Sequence, residues 1–248
     1  YLYIFFAFFL SLSITVLIML LLISKMLRAE ICGIDVNKKE KPVIPEMGGL
    51  AGILGFTLGI SLSLGIIKYF DYLDEKPILV SISVVCLAAL IGLLDDVSIL
   101  ARKEKAWLIS LSSLPLIISQ IGNKSIAFLS YNLDFTQFPL VFWLIVVPFG
   151  ITCCANAVNM SAGYNGLESG QFTVISFSLL IISILDEINL TMALIYSSLV
   201  GSSLGLFYFN KYPSKVFVGD IATLGFGALI ATTAIMGGYI IYAIICIA

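Results

Sequence analysis

The chain contains no histidine, and charge is scarce. It has 13 Lys and Arg and 15 Asp and Glu in 248 residues, a net charge of -2. Without imidazole the usual general base is gone, and so is any His-ligated metal site. Low, balanced charge excludes the basic footprint that nucleic-acid binding needs. Cysteine is also sparse. Cys32, Cys86, Cys153, Cys154 and Cys246 show no C-x-x-C spacing and lie mostly in apolar runs. That pattern predicts buried free thiols rather than a disulfide framework or a zinc site.

Hydrophobic residues fill the space, at 60% of the chain, with a mean hydropathy of +1.10. Such a composition lies outside the range of soluble globular domains. Apolar runs fall at 1–24, 48–67, 77–94, 106–121, 138–155, 170–185, 190–209 and 221–236, each near the length that crosses a hydrocarbon core. The predicted fold is all-α, a polytopic transmembrane helix bundle of about eight spans forming a single membrane domain over 1–248. The first run lacks a basic leader and exceeds a signal peptide's apolar core, so it reads as a retained helix. Stretches after the odd-numbered runs hold ten of the 13 Lys and Arg, and those after the even-numbered runs hold three, Lys68, Lys76 and Lys124. By the positive-inside rule the odd loops are cytosolic and the N-terminus is outside. Gly237-Gly238 interrupts the last run, leaving either one tilted helix or a turn into a ninth. The chain stops in apolar sequence, as a piece of a longer protein would.

Polar residues collect where the odd loops meet the membrane. Ile91-Gly92-Leu93-Leu94-Asp95-Asp96 ends one run, with Lys105 just beyond. Asn156 and Asn159 end another, and Gly163, Asn165, Gly166 and Glu168 follow. Phe217-Val218-Gly219-Asp220 opens a later one, and the first loop supplies Asp35, Asn37, Lys38 and Glu46. Acids placed against membrane-depth residues are costly and usually functional. Carboxylates and carboxamides without sulfur or imidazole suit Mg²⁺ or Mn²⁺, which complete their shells with water and phosphate oxygens. Asn156 and Asn159, three apart, share a helix face. Asp220 opens a helix where backbone N–H groups favour phosphate. Each element has an ordinary reading: an Asp-Asp pair is often a solvated helix end, G-x-x-G is a weak signal alone, and the Lys38, Lys39 and Lys41 group serves topology. Their joint placement on one membrane face carries the functional argument.

Taken together, these motifs resemble the polyprenyl-phosphate N-acetylhexosamine-1-phosphate transferases over essentially the whole chain. Asn156-x-x-Asn159-x-x-Ala162-Gly163-x-Asn165-Gly166-Leu167-Glu168, with Cys32-Gly33-Ile34-Asp35-Val36-Asn37-Lys38 and Ile44-Pro45-Glu46, is most similar to the eukaryotic and archaeal type. That type moves GlcNAc-1-phosphate from UDP-GlcNAc to dolichyl phosphate and releases UMP. The resemblance implies that Asn159 and Asp220 bind Mg²⁺, and that Gly163 and Phe217 sandwich uracil, with Asn165 and the Val36 backbone at its edge. Asn156 also belongs to the implied substrate site. Glu46 would reach ribose, Lys105 would contact phosphate, and Asp95 or Asp96 would position or deprotonate the lipid phosphate. It further implies a multi-pass protein of the plasma membrane or endoplasmic reticulum with its site facing the cytosol, and a homodimer as a candidate assembly. Family members have about ten helices and a last cytosolic loop with Arg or His residues, which this chain does not reach. A carrier is the competing class, but carriers hold their polar groups near the bilayer midplane, whereas here they gather at one face.

Overall fold

The computed structural model describes residues 1–98, 100–128, 131–185 and 189–247. In chain order the elements are α1 (Leu2–Arg28), a hairpin of β1 (Cys32–Ile34) and β2 (Val43–Pro45), α2 (Gly49–Phe70) and α3 (Lys76–Ser98). Then come α4 (Arg102–Leu111), α5 (Leu114–Ser119) and a second hairpin of β3 (Ser125–Phe128) and β4 (Tyr131–Asp134). The remainder is α6 (Pro139–Val141), α7 (Val147–Met160), α8 (Leu167–Leu185), α9 (Leu190–Asn210), α10 (Asp220–Gly237) and α11 (Ile240–Ile247). Among the described residues seven helices are long and apolar enough to cross a membrane. The protein is an all-α multi-pass membrane bundle. Helices dominate because in hydrocarbon each backbone group needs a partner, and a helix finds all of them within itself.

The fourth expected span, 106–121, is the one that departs from a continuous helix. It breaks at Ser112-Ser113 into α4 and α5. Pro115 sits at the start of α5, where it lacks an N–H and its ring collides with the carbonyl of Leu111. The two serine hydroxyls instead bond back to Ile109 and Ser110 carbonyls, at 2.7 and 2.5 Å. The broken pair still traverses the bundle. Lys105 in α4 reaches the start of α10, while a Cβ at Gly122, just after α5, would lie 2.8 Å from the Ile235 carbonyl near the end of α10. Pro148 is handled differently. α6 runs into α7 through a π-helical stretch, Phe142–Val146, in which the Val147 N–H bonds the Phe142 carbonyl, a wider turn that makes room for the ring. At the far end, Gly238 adopts a left-handed conformation at φ 76° and ends α10. A further helix, α11, then begins.

α10 is the axis of the bundle. Every residue from Ile221 to Met236 is buried, against α2, α3, α7, α8, α9 and α11. α1 is its opposite, packing on α2 and α9 while leaving Leu2, Phe5, Phe9, Leu17, Leu20 and Leu21 exposed to what would be lipid. All five cysteines are free, but against the expectation of buried thiols none is buried and Cys153 is exposed.

Small residues allow close helix crossings. α3 passes the start of α10 at Gly92, where a Cβ would overlap the Asp220 carbonyl and the Ile221 backbone; without a driving force from water, such close backbone approach is what holds membrane helices together. Gly92→Ala is therefore expected to lower thermal stability in detergent by about 1–3 kcal/mol. Gly65→Ala in α2, where a Cβ meets nothing within 4 Å, serves as the control and should not. Equal melting of both variants with the parent would contradict this packing.

Candidate active site

The start of α10 needs outside help. Its first turn has unpaired N–H groups, and Gly219, at φ 74°, precedes it with no side chain to cap them. Asp96, from the end of α3, supplies the acceptors: its Oδ1 takes the Asp220 N–H at 2.9 Å and its Oδ2 the Ile221 N–H at 3.3 Å. A Cβ at Gly219 would approach Asp96 Oδ2 to 2.9 Å. The glycine thus serves both the positive φ and the room for the carboxylate.

This capping places Asp220 beside three other polar side chains. Lys105 from α4 forms ion pairs with Asp95 Oδ2 at 2.5 Å and with Asp220 Oδ2, and approaches Asn159 Oδ1 at 3.4 Å. Asn159, in the last turns of α7, donates its amide to Asp220 Oδ1 at 2.7 Å and to Thr223 Oγ at 2.8 Å. Asp95 is fixed further by the Leu100 N–H at 2.7 Å. Four elements thus meet in one knot of oxygens. Three carboxylates are gathered there, and Lys105 is the one cation paired with them among the described residues. The surplus is negative, and a dication would offset it. Among the described residues no group of three or more carboxylates or thiols is arranged to enclose an ion. The set instead fits Mg²⁺ or Mn²⁺ held by one or two protein oxygens, with water and phosphate completing the shell. Asn159 and Asp220 are the residues that could hold such an ion.

A cleft of about 200 Å³ opens beside the knot, joined to it through Gly219. One wall is the loop after β1, with Asp35, Val36 and Asn37; the other is the loop between α7 and α8, with Gly163, Tyr164 and Asn165. Phe217 and Val218 form the base with Asn210 and Glu168. Hydrogen bonds tie the walls together. Asn37 donates to the Gly163 carbonyl at 2.7 Å and Asn165 to Asp35 Oδ2 at 3.0 Å. The base is anchored to the β hairpin by backbone bonds, Phe217 N–H to the Pro45 carbonyl and Gly48 and Gly49 N–H to Phe217 and Val218, all at 2.7–2.8 Å. Asp35 is buried and also pairs with Lys38 at 3.0 Å. The Asn165 amide, and then Lys38, hold its carboxyl below the usual carboxylate range. Its contribution to the joined walls is complete above that range and fades only as pH falls beneath it.

Of the residues singled out in the sequence, Val36, Gly163, Asn165 and Phe217 line the cleft, and Asp95, Asp96, Lys105, Asn159 and Asp220 form the knot. Two fall outside both. Asn156 turns its amide back to the Thr152 carbonyl of its own helix, at 2.8 Å. Glu46 does not line the cleft, and its carboxylate folds over Gly33. Sequence reasoning passed over Thr223 and Asn210. Thr223 lies one turn after Asp220 and so shares its face. Asn210 ends an apolar run, the same signal that marked Asn159. It accepts from the Gly166 N–H and the Ser169 hydroxyl and donates to the Val216 carbonyl, at 3.0, 2.7 and 2.9 Å, fastening the α7–α8 loop to the Phe217 segment.

Fold and site together define a multi-pass membrane protein with an oxygen-rich cluster and an adjoining cleft at one end of its bundle. Residues 78–238 match the family described as glycosyl transferase family 4, and the chain belongs to that family. It is similar to "Putative glycosyltransferase" of Methanocaldococcus jannaschii, 36% identical over 217 residues (87% of this chain, 62% of the relative). It is also similar to "Putative UDP-N-acetylglucosamine--dolichyl-phosphate N-acetylglucosaminephosphotransferase" of Saccharolobus solfataricus, 35% identical over 224 residues (87% and 65%). The UDP-N-acetylglucosamine--dolichyl-phosphate N-acetylglucosaminephosphotransferase of Dictyostelium discoideum is 28% identical over 250 residues (84% and 60%). The chain thus spans less than two thirds of the length of these relatives.

The cap on α10 makes a stability prediction separate from chemistry. Asp96→Ala leaves two N–H groups unpaired and should cost about 1–3 kcal/mol. Asp96→Asn keeps an acceptor oxygen and should lose less. Thermal unfolding in detergent should rank parent, Asn, Ala; equal losses for the two variants would contradict the cap.

Proposed function

We propose that the protein transfers GlcNAc-1-phosphate from UDP-GlcNAc to dolichyl phosphate, releasing UMP, with its site on the cytosolic face of the membrane. The observation that carries this reading is the adjacency of cleft and knot. A cleft with an aromatic base at Phe217 and a bare backbone at Gly163 suits a flat base. It opens through Gly219 onto carboxylates that a diphosphate would approach only with a cation between them. The names of the relatives support the same substrates, and the excess of Lys and Arg in the odd loops supports the orientation.

In this reading a lipid phosphate oxygen attacks the β-phosphorus of UDP-GlcNAc in line. The bond from that phosphorus to the oxygen bridging it to the α-phosphate breaks, and UMP leaves with the bridging oxygen. Phosphoryl transfer of this kind depends mainly on positioning and charge stabilisation. Mg²⁺, when bound at Asn159 and Asp220, neutralises diphosphate charge. Lys105, its ammonium held between Asp95 and Asp220, would contact the same phosphates. Asp95, fixed by Lys105 and the Leu100 N–H, is placed to orient the incoming lipid phosphate or take its proton. Asp96 holds the α10 terminus in register while this happens.

Protein purified in detergent should release UMP from UDP-GlcNAc only when dolichyl phosphate and Mg²⁺ are both present. Replacing the sugar nucleotide or using undecaprenyl phosphate would reassign the substrate within the same chemistry, and no release in any combination would contradict the reading. Asp220→Ala is expected to lower turnover by about two orders of magnitude or more. It should also abolish Mn²⁺ binding measured by electron paramagnetic resonance. Near-parental turnover and binding would sink the metal assignment. Phe217→Ala should weaken UDP binding about tenfold by calorimetry, the order of one lost base–aromatic stack, and unchanged affinity would place the base elsewhere.

A further inference from the structure

Asp35 has no place in the transfer chemistry, yet it is buried at the wall of the cleft. Its Oδ2 accepts from the Asn165 amide nitrogen at 3.0 Å and pairs with Lys38 at 3.0 Å, while its Oδ1 accepts the Asn37 N–H at 3.3 Å. A carboxylate only accepts hydrogen bonds, and a carboxamide has one donating and one accepting end. The Asn165 nitrogen must therefore face Asp35. Its Oδ1 is left as an acceptor on a residue that lines the cleft, and it takes no hydrogen bond among the described residues. An Asn free to flip would offer either end; here one end is committed.

We infer that Asp35 is a positioning residue for nucleobase choice: by engaging the Asn165 nitrogen it presents Asn165 Oδ1 to the base as a fixed acceptor, which selects uracil over cytosine. This rests on the nucleotide reading of the cleft given above. Uracil carries an N3–H that such an acceptor receives. Cytosine carries a lone pair at N3, which faces the acceptor unfavourably and leaves it unpaired. Lys38 supports the arrangement by keeping the Asp35 carboxylate ionised and so unable to donate. Asn37 supports it by holding the opposite wall through the Gly163 carbonyl.

Binding of UDP and of CDP to purified protein with Mg²⁺, by calorimetry, tests this. The parent should prefer UDP. Asp35→Asn frees the Asn165 amide to turn and should reduce the preference about tenfold, the scale of one acceptor left unpaired. Asn165→Ala leaves the Asp35 loop in place and should reduce it similarly, and adding Asp35→Asn to that background should change the preference no further. Several results would overturn the inference. One is an Asp35→Asn variant that weakens UDP and CDP equally, as a merely structural residue would. Another is a preference that shifts again in the double variant. If Asp35→Asn fails to fold, an unchanged preference in Asn165→Ala overturns it alone. A parent that binds neither nucleotide would instead contradict the nucleotide reading itself, and that outcome is distinct from the others.

Discussion

The start of α10 governs the site, because a helix that begins at a membrane face with a glycine before it cannot satisfy its own first N–H groups. Asp96 satisfies two of them from α3, and that contact is possible only because Gly92 lets α3 come within backbone reach. Cap, crossing and site are one construction. Asp220 is aimed by the capped turn, Lys105 and Asn159 reach it from α4 and α7, and Gly219 connects the turn to the cleft. Asp96, one of the candidate catalytic residues, thus caps the turn that aims Asp220.

The two halves of the site are assembled by different means. The knot is made of charged contacts at helix ends, where the low dielectric of the bundle strengthens attraction and makes an unpaired charge costly. The cleft is made of loops tied by neutral or singly charged hydrogen bonds and by the backbone ladder between the 45–49 and 217–218 segments. Helices therefore fix the knot, and loops shape the cleft that, in the proposed function, would receive the nucleotide. This division is common where a stable scaffold carries a selective site on its loops.

Much of this was legible in the sequence. Run length and hydropathy predicted the spans, and the clustering of Asp95, Asp96, Asn159 and Asp220 at run ends anticipated that they would meet. What stayed hidden is what composition does not encode. Pro115 splits the fourth run, although its apolar residues alone would pass for one helix. Asn156 shares a helix face with Asn159, yet its amide folds back on its own carbonyls because nothing fixes a carboxamide outward. Glu46 is at the right place in the chain, but the hairpin directs it over Gly33. Asn210 carried the same run-end signal as Asn159, but its partners emerge only when the Gly166 and Val216 segments are brought to it.

The central claim is that the bond broken lies between two phosphates, with the β-phosphate passing to a lipid. UDP-GlcNAc labelled with ³²P at the β-phosphate, incubated with purified protein, dolichyl phosphate and Mg²⁺, tests it directly. Label recovered in the organic-phase lipid, with unlabelled UMP in the aqueous phase, is the expected result. Label retained in aqueous UDP while the sugar moves to lipid would mean that the glycosidic bond is cleaved instead, and the account of this site would be wrong.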